Sequence, residues 1–239
     1  GLGDVYKRQP ANVKFVLQHN PEVDVSKVEI CPNSIDIKAN TIQTDKKAVR
    51  KEFGLPFDDT IFVYGGNLGK PQGIGFLLDV LKSNNNRKGI YFLIVGRGTE
   101  YNKINNWIIE SKTTNVKLLP FVPKEKYNHL ISAGDIGLVF LDKHFTIPNF
   151  PTRIMGYLLH RMPILSATDV HTDVGKLMEL NGCGFWVESG DLNGYNEKIE
   201  YLMNKKDQIF QMGENGYKYL LSNYEVSVTY NAIMAHFNK

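Results

Sequence analysis

From residue 61 onwards, short continuous apolar runs alternate with segments of helical period, and that alternation leaves few folds open to the chain. The runs span 61–64, 90–95, 116–119, 136–141, 163–167 and 184–187. Between them lie helical patterns at 74–81, 100–110, 124–133, 152–160 and 173–180, and the tail reads as helical over 195–204, 207–221 and 227–237. A strand that is apolar along its whole length is buried on both faces, which requires a parallel sheet with helices on either side. Six such strand–helix units predict an α/β chain with a Rossmann-like, doubly wound parallel sheet and a helical C-terminal tail. Ligands of these sheets bind beyond the carboxyl ends of the strands, near the point where strand order reverses. Four loops therefore matter: 65–73, 96–99, 121–123 and 145–153.

Composition removes several function classes. The 28 basic and 25 acidic residues give a net charge of +3 and are intermixed, so no nucleic-acid surface is expected. Cys31 and Cys183 are far apart, and the six histidines form neither HxH nor HExxH, so no metal site is expected. Two lone thiols suggest a reducing, cytoplasmic compartment. No apolar run approaches the roughly 20 residues of a membrane span, and no signal peptide is visible. Residues 1–9, GLGDVYKRQ, fit none of the later patterns and read as a non-native leader. Residues 10–45 read as a connecting segment, with a brief strand at 28–32 and a turn at 33–36 in which Asn33 and Asp36 bond their own backbone. The sheet domain is expected over 46–239, opening with a helix that stops at Gly54.

The loops carry the candidate chemistry. GGNLGKPQG, 65–73, holds four glycines between a strand and a helix, with Asn67 as an amide donor and Lys70 as a mobile charge. Glycine there lets the backbone approach a ligand, although a tight strand-to-helix turn also uses it. The spacing is not GxxxxGK[ST], which disfavours an ATP-type phosphate loop. Gly96-Arg97-Gly98 begins a GxGxxG pattern, but Tyr101 stands where the third glycine belongs, so a helix start capped by Thr99 also accounts for it. Phe121 and Val122 could present backbone groups to a flat base. In FTIPNFPTRIMGYLLHRMPIL, 145–165, Pro151 suits a helix start that would aim free N–H groups, the Thr152 hydroxyl and the Arg153 guanidinium at one anion. A loop, a cap and a surface arginine fit the same residues. Asp169 and Asp173 could act at a sugar, though helix capping by Asp173 or Thr172 is the simpler role. Trp186 and Glu188 read as packing and surface.

Taken in order, these segments resemble the C-terminal, donor-binding half of the GT-B glycosyltransferases of family 4, the glycosyl transferases group 1. Residues 28–36 look like the family's "vipNGvD" segment, 65–73 like "GxLxxxKG", and 92–98 like "lxivGxGp". Residues 115–123 are similar to "nVxfxGxvp" and 133–139 to "aDvxvxPS". GNLGKPQG and IPNFPTRIMGYLLHRMPIL resemble a subgroup acting in capsule, O-antigen or other bacterial surface polysaccharide synthesis. The resemblance implies that Gly66, Asn67, Gly69, Lys70, Thr152 and Arg153 hold the diphosphate of a nucleotide-sugar donor, taken as a UDP-sugar, against two helix N-termini. It implies that Gly96, Phe121 and Val122 hold the nucleoside, and that transfer is retaining, with neither metal nor cofactor.

Further partners implied are a saccharide or lipid-linked acceptor, the chain's own N-terminal acceptor domain, absent from this sequence, and the inner face of a bacterial membrane. The catalytic base is expected in that absent domain, which leaves the 239 residues inactive alone and the apolar face of the tail helix exposed. The sequence departs from the family pattern at four positions. The two glutamates of E-x7-E fall on Pro148 and Gly156, so the ribose has no named ligand. The phosphate-binding arginine and lysine of the first loop fall on Asn67 and Gln72, with Lys70 and Arg153 as the candidate replacements. A non-catalytic GT-B-like partner subunit is the alternative, and an NAD-type Rossmann oxidoreductase the remote one.

Overall fold

The computed structural model describes residues 5–7, 9–40 and 44–237. It opens with a small unit: strand β1 (Val5–Lys7), helix α1 (Pro10–His19) and strand β2 (Val28–Ile30), with the two strands parallel. Three residues of the stretch read as a leader thus form a strand, and the first part of the connecting segment is a ten-residue helix. Gln9 precedes Pro10, whose missing N–H costs nothing at a first helical position. Asp36 bonds the N–H of Ala39 at the start of α2 (Ile37–Asn40), whereas the Asn33 amide nitrogen bonds nothing. Helix α3 (Lys46–Glu52), capped by Asp45, ends as expected before Gly54, which has a positive φ.

The main sheet then forms from β3 (Thr60–Asn67), β4 (Ile90–Arg97), β5 (Val116–Leu119), β6 (Ile136–Phe140), β7 (Ile164–Thr168) and β8 (Gly184–Glu188). The connecting helices are α4 (Ile74–Ser83), α5 (Tyr101–Ser111), α6 (Lys124–Ile131), α7 (Arg153–Leu159) and α8 (Val174–Leu180). The tail adds α9 (Leu192–Asn204), α10 (Lys206–Asn223) and α11 (Val226–Met234). All neighbouring strands of the sheet are parallel, in the order β5-β4-β3-β6-β7-β8. Strand order reverses between β3 and β6, as a doubly wound sheet requires. The α/β expectation is met.

Alternation along β3 sorts the core into two layers. Ile61 and Val63 pack with Leu93, Ile154, Leu158 and Ile131 on one face, while Phe62 and Tyr64 pack with Phe92, Leu77, Phe140 and Tyr195 on the other. Helix α10 lies close on α7: a Cβ on Gly213 would stand 2.1 Å from the Arg161 carbonyl, and one on Gly216 would stand 2.8 Å from Leu158. The tail returns to the first unit, where Ile35 donates its N–H to the Tyr224 carbonyl (2.8 Å) and Thr229 bonds the Pro32 carbonyl (3.1 Å). Val226, Tyr230 and Phe237 of the last helical stretch are exposed.

His160, which follows α7, sets a pH dependence. Burial, with the charge of Lys46 adding to it, pushes its pKa down from 6.5 to about 4, against a hydrogen bond to the Asn128 backbone. Below pH 6.5 the unfolded chain takes up a proton that the folded chain refuses until about pH 4. Stability is therefore full above pH 6.5 and falls on acidification towards pH 4, by on the order of 2–3 kcal/mol. Thermal melts of His160→Gln between these limits should be flatter than wild type; an unchanged slope would assign the loss to other groups.

Candidate functional site

A cavity of about 690 Å³ opens at the carboxyl ends of β3 and β4, beside the strand-order reversal. Its wall combines Gly65, Gly66 and Asn67 from β3 with Val95 and Gly96 from β4. Phe121 and Val122 come from the loop after β5, and Asn149–Arg153 from the loop that enters α7. Seven of the nine residues expected to bind the donor are brought together: Gly66, Asn67, Gly96, Phe121, Val122, Thr152 and Arg153. Gly69 and Lys70 are not. Gly69 is buried behind the Asn67 side chain, and Lys70 points to solvent from the turn 70–72, while Gln72 of the same turn faces the cavity.

Arg153 dominates the electrostatics. Its guanidinium lies 4.4 Å over the Tyr64 ring and donates from Nη2 to Gln72 Oε1 at 2.5 Å. Nη1 is buried and bonds nothing. Gly66, at φ +134°, leaves the space: a Cβ there would stand 3.2 Å from the guanidinium carbon. Among the described residues no aspartate or glutamate lines the cavity, and Lys124 adds a second positive charge at its rim. Arg153 therefore has neutral partners only, and a buried cation so placed is matched to an anion from outside.

Three tyrosines surround the guanidinium, and one of them, Tyr127, lines the cavity. The Tyr157 hydroxyl accepts the Gly65 N–H at 3.0 Å, and Tyr64 donates to the Asn67 carbonyl at 2.7 Å. The Tyr127 hydroxyl sits where a Cβ on Gly65 would be, and it is buried without a hydrogen-bond partner. Burial pushes Tyr127 up to about 12 and Tyr157 well above its ordinary value, so neither supplies a negative charge to Arg153.

Several expectations need correction. Helix α7 begins at Arg153, and Thr152 makes no capping bond. No residue of α4 lines the cavity, so of the two helix starts expected there only that of α7 is present. The helix after β4 is preceded by Glu100, not capped by Thr99, and Glu100 itself makes no cap bond. Gly96 answers a contact between strands, because a Cβ on it would stand 1.9 Å from the Gly66 carbonyl oxygen. Asp173 and Thr172 do not cap α8; Asp173 takes the Ala11 N–H at 3.0 Å, and Thr172 takes the Asn149 N–H at 3.3 Å. Gln72, Lys124, Tyr127, Asn128 and Gly156 were not singled out as donor ligands. The sequence signal for Lys124 and Tyr127 is their place in the first turn after Pro123.

Arg97 lies 4.6 Å over the ring of Phe121, which lines the cavity and is 57% exposed. The cavity thus has a cationic, glycine-walled end and an aromatic lip. No described cluster of three or more His, Cys, Asp or Glu side chains could hold a metal ion. No described helix is long and apolar enough to cross a membrane.

Residues 45–219 match the family model described as glycosyl transferases group 1. The Pseudomonas aeruginosa protein WbjE, named as a glycosyltransferase, is 22% identical over 125 residues, 52% of this chain and 31% of its own length. The UDP-N-acetylglucosamine–N-acetylmuramyl-(pentapeptide) pyrophosphoryl-undecaprenol N-acetylglucosamine transferase of Acetivibrio thermocellus is 25% identical over 195 residues, 80% of this chain and 51% of its own length. The chain thus spans between about a third and a half of these curated relatives. Among solved structures, Anabaena HepE in complex with UDP and glucose superimposes with a TM-score of 0.82 at 16% identity, covering 99% of this chain and 63% of HepE. At that identity the likeness is one of fold, and the fold is that of GT-B glycosyltransferases.

Proposed function

The chain belongs to the glycosyl transferases group 1 family, and from that premise we propose that the cavity binds the diphosphate of a nucleotide-sugar, with UDP as the nucleotide. One observation carries the proposal: a buried guanidinium with an unbonded Nη1, in a cavity that no described carboxylate enters. HepE and the Acetivibrio transferase, by their names, take UDP or a UDP-sugar, which supports the choice of nucleotide. Arg153 would stabilise the charge that grows on the leaving diphosphate as the sugar departs. The base would lie towards Phe121 and Val122. Positive charge falls to Arg153, with Lys124 at the rim, and not to Lys70.

The whole protein is proposed to be a retaining, metal-independent glycosyltransferase of bacterial surface polysaccharide synthesis. It would act at the cytoplasmic face of the membrane on a saccharide or lipid-linked acceptor. Residues 46–239 would form the donor domain, residues 10–45 the connection, and a separate N-terminal domain would bind the acceptor. A non-catalytic partner subunit of the same fold is the second reading, favoured by the absence of an acid at Gly156.

Calorimetric titration with UDP, with AMP and NAD as controls and no metal added, tests the proposal. Saturable binding of UDP alone supports it, and binding of NAD alone overturns it. Position 156 supplies a finer test. Gly156 lines the cavity on α7, and a Cβ there would meet only Ile131 Cδ1, at 3.4 Å. Gly156→Glu restores the carboxylate that the family places near the ribose, and should tighten UDP binding by about threefold to tenfold, the worth of one or two hydrogen bonds to a charge. Gly156→Ala should leave affinity unchanged. Equal affinities for all three proteins would place the ribose elsewhere.

A further inference from the structure

The loop that delivers Arg153 is held from outside the cavity. Asp169, at the end of β7, is 1% exposed, and its carboxyl accepts three hydrogen bonds. Two come from the N–H groups of His171 and Thr172, at 2.8 Å each, and the third from the Thr172 hydroxyl, also at 2.8 Å. Thr172 is fully buried. Because its hydroxyl proton is committed to Asp169, its oxygen can only accept on the other side, and there it faces the Asn149 N–H at 3.3 Å. From Asn149 the chain runs directly through Phe150, Pro151 and Thr152 to Arg153, and all five line the cavity. The other side of the same peptide group is held too, since the Asn12 amide donates to the Pro148 carbonyl at 2.6 Å.

We propose that Thr172, oriented by Asp169, is a positioning residue for donor binding. It fixes the backbone at Asn149, and so sets where the segment 149–153 and its guanidinium stand. None of residues 169–172 lines the cavity, and the bond to Asn149 is what ties the turn to its wall. A buried carboxyl spent on one short turn is otherwise costly, and here its bonded partner, Thr172, is what links that turn to the cavity loop. This inference rests on the nucleotide-sugar reading of the cavity.

The test compares Thr172→Val, which keeps the shape and loses the hydroxyl, with Thr172→Ser, which keeps the hydroxyl. Thr172→Cys, a weak donor and acceptor, is measured alongside in case the valine protein does not fold. UDP titration at 25 °C should show affinity about threefold to tenfold lower in Thr172→Val or Thr172→Cys, and restored in Thr172→Ser, as expected for one hydrogen bond. Amide hydrogen exchange of residues 147–152 without ligand should speed up in the weakened variants and not in Thr172→Ser. A folded Thr172→Val or Thr172→Cys that binds UDP as wild type does, with unchanged exchange at 147–152, overturns the proposal. Silence of wild type towards UDP removes the nucleotide reading. The exchange arm then decides alone: faster exchange upholds the anchoring, and unchanged exchange overturns it.

Discussion

Arg153→Ala is expected to abolish measurable UDP binding while leaving the ligand-free protein as stable as wild type, or more so. A hydrogen bond to a charged group contributes about 1.5–3 kcal/mol, and an arginine offers two or more to a diphosphate. The predicted loss is thus about 3–5 kcal/mol, a factor of about 150 to 5,000 in Kd. Lys124 at the rim and Arg97 over the Phe121 ring are the other described cations near the cavity, Lys70 faces solvent, and none of these three shares the position of Arg153 beside Gly66. The stability half of the prediction is what identifies the arginine as a ligand. A structural arginine looks like Arg50, whose guanidinium bonds Asp135, the Ala133 carbonyl and the Phe57 and Asp59 carbonyls. Arg153 instead has one side-chain acceptor, one aromatic face and an unbonded Nη1. Removing it takes a poorly compensated buried charge out of the ligand-free protein. Titration and thermal melting of the same sample decide the matter. A large drop in Tm with UDP affinity retained would make Arg153 a structural residue and empty the proposal of its anion site. Arg153→Lys should fall between, keeping the charge and losing the two-pronged geometry.

How much of this was legible in the sequence varies with the range of the interaction. The six strands and their helices were legible because a strand buried on both faces is written in a few consecutive apolar residues. Arg153, Gly66 and Phe121 were legible because sheets of this kind gather the loops after their strands at one edge. Lys70 was misplaced for a local geometric reason. Residues 70–72 form a 3-10 turn, in which residues two apart point about 120° away from each other. With Gln72 facing the cavity, Lys70 is turned out. Tyr127 was invisible because it meets Gly65 from another helix, at a position where glycine has no side chain to signal the contact. Asp173 and Thr172 were read as caps because that is what such residues do locally, yet their partners are Ala11 and Asn149, one of them 162 residues away. No pattern within a single segment records such a bond. The helix at Pro10–His19 was missed for a related reason, since none of its residues is buried and its apolar periodicity is weak.

Gly96→Ala should be the most damaging single methyl group that can be added near the site. The new Cβ would stand 1.9 Å from the Gly66 carbonyl oxygen, a backbone atom, and 3.4 Å from the Leu68 side chain. A flexible side chain could swing away; a carbonyl in a ladder cannot. β3 and β4 pair residue for residue from Thr60 with Ile90 to Asn67 with Arg97, with Gly66 opposite Gly96. Beyond the pair, Leu68 donates to the Arg97 carbonyl and Glu100 to the Leu68 carbonyl, each at 2.8 Å. Relief therefore requires opening the carboxyl ends of both central strands, and overpacking of this kind costs about 3 kcal/mol. For a chain of this size that lowers Tm by about 6–12 °C. Because Gly66 and Gly96 are also cavity wall, UDP binding should be lost along with stability, whereas Arg153→Ala separates the two. The control is Gly75→Ala in α4, where a Cβ meets nothing within 4 Å. There the helical preference of alanine should stabilise by about 0.5–1 kcal/mol. If Gly96→Ala melted with wild type, the two strand ends would have to stand farther apart than they do here. The glycine-walled cavity, and the position it gives to Arg153, would fail with them.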